Sequence, residues 1–114
     1  MNYTFQHDGN ITVLMPTGNI LSEDQTKEIK GFIDEEIKNQ RINFVVDLSK
    51  IVYINSLGLG LLMTMLTKAR QANGEMVLAC VPEQLKKLLV ITKLNTFFPS
   101  FDSTAESVDF LKSK

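Results

Sequence analysis

The chain is 114 residues long with 12 Lys and Arg against 13 Asp and Glu, a formal net charge of −1. That is the length of one domain, without the basic surplus that nucleic acid or an anionic membrane surface demands. Its 44% hydrophobic and 22% charged residues can bury a core, and a single cysteine and a single histidine exclude an internal disulfide and the usual zinc ligand set.

That cysteine usage makes the cytoplasm the expected compartment, and Met1 to Asn10, which alternates polar and apolar residues and carries no Lys or Arg, reads as mature from the start. Tyr3, Phe5 and His7, then Asp8-Gly9-Asn10, then Ile11, Val13 and Met15 before Pro16 spell a β-hairpin. Ser22 followed by Gln25 is a capping box, and Ile29, Phe32, Ile33 and Ile37 recur at helical spacing, which predicts a first helix over about Glu23 to Asn39. Phe44-Val45-Val46-Asp47-Leu48 is short and continuous, as in an interior strand buried on both faces, and asks for helices above and below.

After Ile51-Val52-Tyr53-Ile54, the segment Asn55-Ser56-Leu57-Gly58 turns into a second helix over about Leu57 to Ala72, with Leu59, Leu62, Met63, Leu66 and Ala69 on one face and Asn73-Gly74 as its stop. Its apolar run, Leu57 to Leu66, is about half of what a bilayer requires, so no membrane insertion is expected. Met76 to Cys80 reads as another strand, and Pro82 as the first residue of a helix carrying Leu85, Leu88 and Leu89. Phe97 to Phe101, broken by Pro99, belongs at an edge, and Ser103 with Glu106 caps a last helix with Val108 and Leu111 inward. The order ββαβ(β)αβαβα predicts one α/β domain over residues 1–114, a mixed sheet of about five or six strands with about four helices and right-handed crossovers.

Few residues carry chemistry. Ile54-Asn55-Ser56-Leu57-Gly58 lacks the first glycine of a nucleophile elbow, and nothing brings His7 to Ser56 as a base. Gly58-Leu59-Gly60 completes no phosphate-cradling pattern. Asp34-Glu35-Glu36 and Lys86-Lys87 read as solvated helix faces. No catalytic residue, cofactor or metal site is expected. Ser56 has two readings. It is the N-cap of the second helix, or it is a phosphoacceptor whose added charge of about −1.5 to −2 would sit at the positive helix end near the N–H groups of Gly58, Leu59 and Gly60. Gly58 and Gly60 permit either close helix-on-sheet packing or the approach of a partner's backbone.

Val45-Val46-Asp47-Leu48-Ser49-Lys50-Ile51-Val52-Tyr53-Ile54-Asn55-Ser56-Leu57-Gly58-Leu59-Gly60 resembles the signature of STAS domains, specifically the anti-sigma factor antagonists. In that family a strand ending in Asp-Leu-Ser precedes a Met-Asp-Ser-[Ser/Thr]-Gly-Leu-Gly type turn. The resemblance continues through Ala72 to Cys80, Gln84 to Leu89, and Thr92-Lys93-Leu94 before Phe97-Phe98, covering roughly Asn10 to Leu111. It implies a small cytoplasmic bacterial protein that binds rather than catalyses: an antagonist that captures an anti-sigma factor which is also a serine kinase, and so frees a sigma factor for transcription. Phosphorylation of the turn serine blocks capture and a PP2C-type phosphatase restores it. By position the phosphoacceptor is Ser56, and the partner-binding surface is Asn55, Ser56, Leu57, Gly58, Leu59 and Gly60. No direct nucleic-acid contact is implied.

Three positions depart from the family pattern. Asn55 replaces an acidic residue, Leu57 a small hydroxylated one, and Gly18-Asn19-Ile20-Leu21 an acidic loop after the second strand. Missing carboxylates change the electrostatic match to a standard kinase. Ser22 and Thr17 are alternative acceptors, with helix cap and turn residue as their structural roles. The alternatives to the switch are a constitutive STAS binding subunit, for example of an ABC-type lipid transporter, and a small-ligand STAS domain, for which no pocket motif is present.

Overall fold

The Asp8-Gly9-Asn10 turn folds the N-terminus into a hairpin of β1 (Asn2–Asp8) and β2 (Ile11–Ile20), antiparallel and in register from Asp8↔Ile11 to Asn2↔Thr17. Gly9 takes φ +62°, the positive φ that a two-residue hairpin turn requires at its first central position. The computed structural model describes residues 2–20 and 23–113. Ser22, with its capping box and its role as an alternative acceptor, and Leu21 lie outside them.

Pro16 stands inside β2 without breaking it. β2 pairs in parallel with β3 (Asn43–Asp47) over Ile11 to Leu14, and with β4 (Ile51–Ile54) over Gly18 to Ile20. Pro16 falls in the gap between these two ladders, where no N–H is needed. Thr17 and Gly18 to Ile20, expected in a loop, therefore continue the strand. Gly18, at φ +80°, marks the register shift and donates its N–H to the carbonyl of Lys50 at 2.9 Å.

Helix α1 (Glu23–Lys38) precedes β3, and helix α2 (Ser56–Gln71) follows β4. Then come β5 (Glu75–Ala79), α3 (Glu83–Ile91), a 3₁₀ turn at Leu94–Thr96, β6 (Ser100–Phe101) and α4 (Thr104–Lys112). The sheet order is β1-β2-β3-β5-β6 with β4 beside β2, and every pair except β1/β2 is parallel. This is the expected mixed α/β architecture, with six strands and four α-helices among the described residues.

The strand period of two divides the core. Phe44, Val46, Met76 and Leu78 face α1, α2 and α3, where they meet Ile29, Ile33, Leu62, Met65, Leu66, Leu85 and Leu89. Val45, Val77 and Ala79 face Val108 and Leu111 of α4 on the other side. The expectation that β3 is covered above and below therefore holds. Each fully buried Leu, Ile or Phe contributes about 1.5–3 kcal/mol. Two smaller expectations change. Pro82 is the N-cap of α3 rather than its first residue, because its ψ of 150° is still extended. The edge strand shrinks to two residues, since the 3₁₀ turn and Pro99 take the preceding chain.

The predicted stop of α2 stands on two different requirements. Asn73 takes the left-handed conformation at φ +70°, and the Gly74 N–H closes on the Ala69 carbonyl at 2.8 Å. A Cβ on Gly74 would lie 1.8 Å from the Ile42 carbonyl oxygen, so only glycine fits there.

Candidate functional site

Two short-range bonds shape the turn between β3 and β4 that leads to α2. Asp47, buried at the end of β3, accepts the Ser49 N–H on Oδ1 at 2.9 Å, and Ile51 donates to the Leu48 carbonyl at 3.1 Å. The chain then enters β4 beside the end of β2 and delivers Asn55 to the carboxyl edge of the parallel strands. In open α/β sheets that edge is where ligands and partners are met.

Asn55, not Ser56, caps α2. Its backbone is extended (φ −104°, ψ −169°), and its Oδ1 accepts the Gly58 N–H at 3.1 Å while its carbonyl accepts the Leu59 N–H at 3.0 Å. Two of the three N–H groups expected to face a phosphate are thus already engaged. Ser56 is the first helical residue and is exposed, and among the described residues nothing hydrogen-bonds its hydroxyl. A phosphate there would still lie at the positive end of a helix of 16 residues.

The other expected site residues divide by the helical period. Gly58 is buried, Leu59 half-buried, and Leu57 40% exposed. Gly60 is exposed with open space where a Cβ would stand, so no close packing requires it.

No local sequence signal marks the strongest surface feature beside Ser56. Val52 is 75% exposed and Tyr53 58%, although Ile51-Val52-Tyr53-Ile54 reads as a uniformly apolar strand. Among the described residues β4 pairs only with β2, next to a register shift, so two successive side chains can face solvent. Together with Ile54, Pro82, Leu85 and Leu88 they line an apolar groove between β4 and α3 that contains no charged side chain. The turn therefore presents an exposed hydroxyl next to exposed apolar surface.

His7 does not approach Ser56. It lies opposite Thr12, at the start of β2, whereas β4 joins β2 at its far end. There His7 Nε2 lies 2.5 Å from Glu36 Oε1, which also accepts from Thr12 Oγ1 at 2.8 Å, and Arg41 Nη1 reaches Glu36 Oε2 at 3.2 Å. Glu36, expected on a solvated face, is 6% exposed. Burial alone would raise its pKa, but the bonds from His7 and Thr12, with the charges of His7 and Arg41, outweigh it and hold the carboxyl below its ordinary value. Asp34 and Glu35 are exposed as expected.

Cys80 is half-buried, with its thiol 3.4 Å from the Asp102 carbonyl. Burial and the neighbouring Asp47 raise its pKa, which disfavours a reactive thiolate. Among the described residues no group of His, Cys, Asp and Glu is placed to hold a metal ion, and no helix is long and apolar enough to cross a membrane.

Residues 2–107 match the family model described as the STAS domain. Among solved structures, one from Thermotoga maritima aligns over 96% of this chain and 94% of its own with a TM-score of 0.86 and 19% identity. An anti-sigma factor antagonist from Mycobacterium paratuberculosis aligns over 97% and 93%, with a TM-score of 0.82 and 16% identity. The antagonist SpoIIAA in its unphosphorylated form aligns over 99% and 100%, at 0.78 and 16%. The Bacillus protein in its phosphorylated form aligns over 95% and 97%, at 0.75 and 14%.

Proposed function

This chain belongs to the STAS domain family, and from that premise we propose that it acts as one domain to antagonise an anti-sigma factor, switched by phosphorylation of Ser56. The observation that carries the reading is the division of labour in the turn. Asn55 supplies the cap, so the Ser56 hydroxyl has no structural task and faces solvent. Structures of a similar fold include an antagonist in unphosphorylated and phosphorylated forms.

The partner is an anti-sigma factor that is also a serine kinase, and it docks on Asn55, Ser56, Leu57, Gly58, Leu59 and Gly60. Val52 and Tyr53 add apolar area that the partner covers. Capture frees a sigma factor in the cytoplasm for transcription. A phosphate on Ser56 places a charge of about −1.5 to −2 beside Leu57 and Tyr53, and a partner closing there would have to desolvate it. A PP2C-type phosphatase returns the protein to its binding form. In this reading the chain acts by binding its partner.

The test is incubation with ATP and the candidate serine kinase, followed by peptide mass spectrometry. One phosphate on Ser56 supports the reading. No phosphate, with the kinase active on another antagonist, overturns it. The exposed, uncharged neighbours Val52, Tyr53 and Leu57 favour a second reading in that case, a constitutive binding subunit such as that of an ABC-type lipid transporter.

A further inference from the structure

Among the described residues β1 ends the sheet and pairs on one side only, with β2. Its register fixes which backbone groups are left over. The tight turn makes Asp8↔Ile11 a hydrogen-bonded pair, so Asp8, Gln6, Thr4 and Asn2 turn their N–H and C=O groups to β2. Tyr3, Phe5 and His7 turn theirs outward. Two independent details fit this alternation: Pro16, which has no N–H, lies opposite Tyr3, and the Gly18 N–H points away from β1 to Lys50. Natural edges of this length are guarded by charged side chains, lysine above all, by proline or by a bulge. Asn2–Asp8 contains no lysine, arginine or proline, its one carboxylate, Asp8, stands at the turn, and its register with β2 is unbroken. The opposite edge, β6, has only two residues.

We propose that this edge pairs antiparallel with β1 of a second copy of the chain, about a two-fold axis at Phe5. The strand is complementary to itself in that register. The outward N–H and C=O of Phe5 meet those of its copy, and Tyr3 meets His7 of the second copy. Thr4 lies opposite Gln6 and Asn2 opposite Asp8, so no like charges face each other. Phe5, 50% exposed although its ring packs 4.7 Å from that of Phe32, meets its own copy across the axis. Glu28, whose charge acts on Tyr3, comes to the end where the second copy carries Arg41. One strand pair buries less than a standard interface, so the dimer is weak and reversible. It lies on the side of β2 away from β4 and leaves the Ser56 turn uncovered.

Sedimentation equilibrium of the full chain from about 10 μM to about 1 mM tests this pairing. The mass average is expected to rise toward the dimer, with the amides of Tyr3, Phe5 and His7 gaining exchange protection while those of Thr4 and Gln6 stay constant. Phe5→Pro deletes an outward N–H and no β1–β2 bond, and Phe5→Lys sets two ammonium groups against each other on the axis. Each should weaken self-association at least about tenfold. Should Phe5→Pro fail to fold, Phe5→Lys decides. A wild-type chain that stays monomeric throughout, or a dimer that persists in Phe5→Lys, overturns the proposal.

Discussion

The Asn55 side chain accepts the Gly58 N–H at 3.1 Å and thereby closes the first turn of α2 without help from the serine that follows it. Loss of that cap costs about 1 kcal/mol. Asn55→Ala is therefore expected to lower Tm by about 4 °C, whereas Ser56→Ala should change stability by less than about 0.5 kcal/mol. Calorimetry on the two variants checks the pair, and the reverse order would return the cap to Ser56.

Ser56→Asp places a carboxylate at the first helical position, where the helix dipole favours negative charge. The variant is expected to melt at or slightly above the wild-type temperature and to lose partner binding, with Ser56→Ala retaining it. Parallel titration of both variants against the kinase partner measures this. Binding that Ser56→Asp leaves unchanged would count against a charge-operated switch.

Glu36 links stability to acid. Its carboxyl is held below the ordinary value by His7, Thr12 and Arg41 despite burial, so the folded state binds a proton less readily than the unfolded chain. Its contribution is complete above the ordinary glutamate value, about pH 4, and is lost as pH falls through the depressed folded value. Glu36→Gln should destabilise by about 1–3 kcal/mol at neutral pH. It should also flatten the acid limb of a denaturation series. An acid limb of equal slope in both proteins would show that Glu36 is not the linked group.

Gly74 is fixed by contact with backbone. Since a Cβ would meet the Ile42 carbonyl oxygen at 1.8 Å, Gly74→Ala must displace the chain between α1 and β3. A loss of at least about 2–3 kcal/mol is expected in urea denaturation. A neutral substitution would mean that this loop yields freely.

Elements with a clear period were legible before the structure. β3 and β5 alternate between two helical layers, and Ser103 accepts the Glu106 N–H at 3.1 Å as its spacing predicted. The order of strands, helices and edge follows from such local patterns. The cap was not separable, because Asn and Ser are comparable N-caps and only the backbone angles decide which of two neighbours stands outside the helix. Glu36 left a signal that was available: it lies three residues after Ile33 and seven after Ile29, on the buried face. Its charge concealed it. The exposure of Val52 and Tyr53 had no local signal, since it depends on β4 leaving the path of the main sheet to pair with the far end of β2.

The most direct test of the central claim compares two forms of one protein against one partner. The chain, unphosphorylated and then quantitatively phosphorylated on Ser56, is titrated into the anti-sigma kinase by calorimetry, with circular dichroism confirming the same fold in both. The unphosphorylated form is expected to bind, and the phosphorylated form to bind at least about a hundredfold more weakly, about 2.7 kcal/mol. Equal affinity of the two forms would contradict this and leave the exposed surface of Val52, Tyr53 and Leu57 as a permanent docking face.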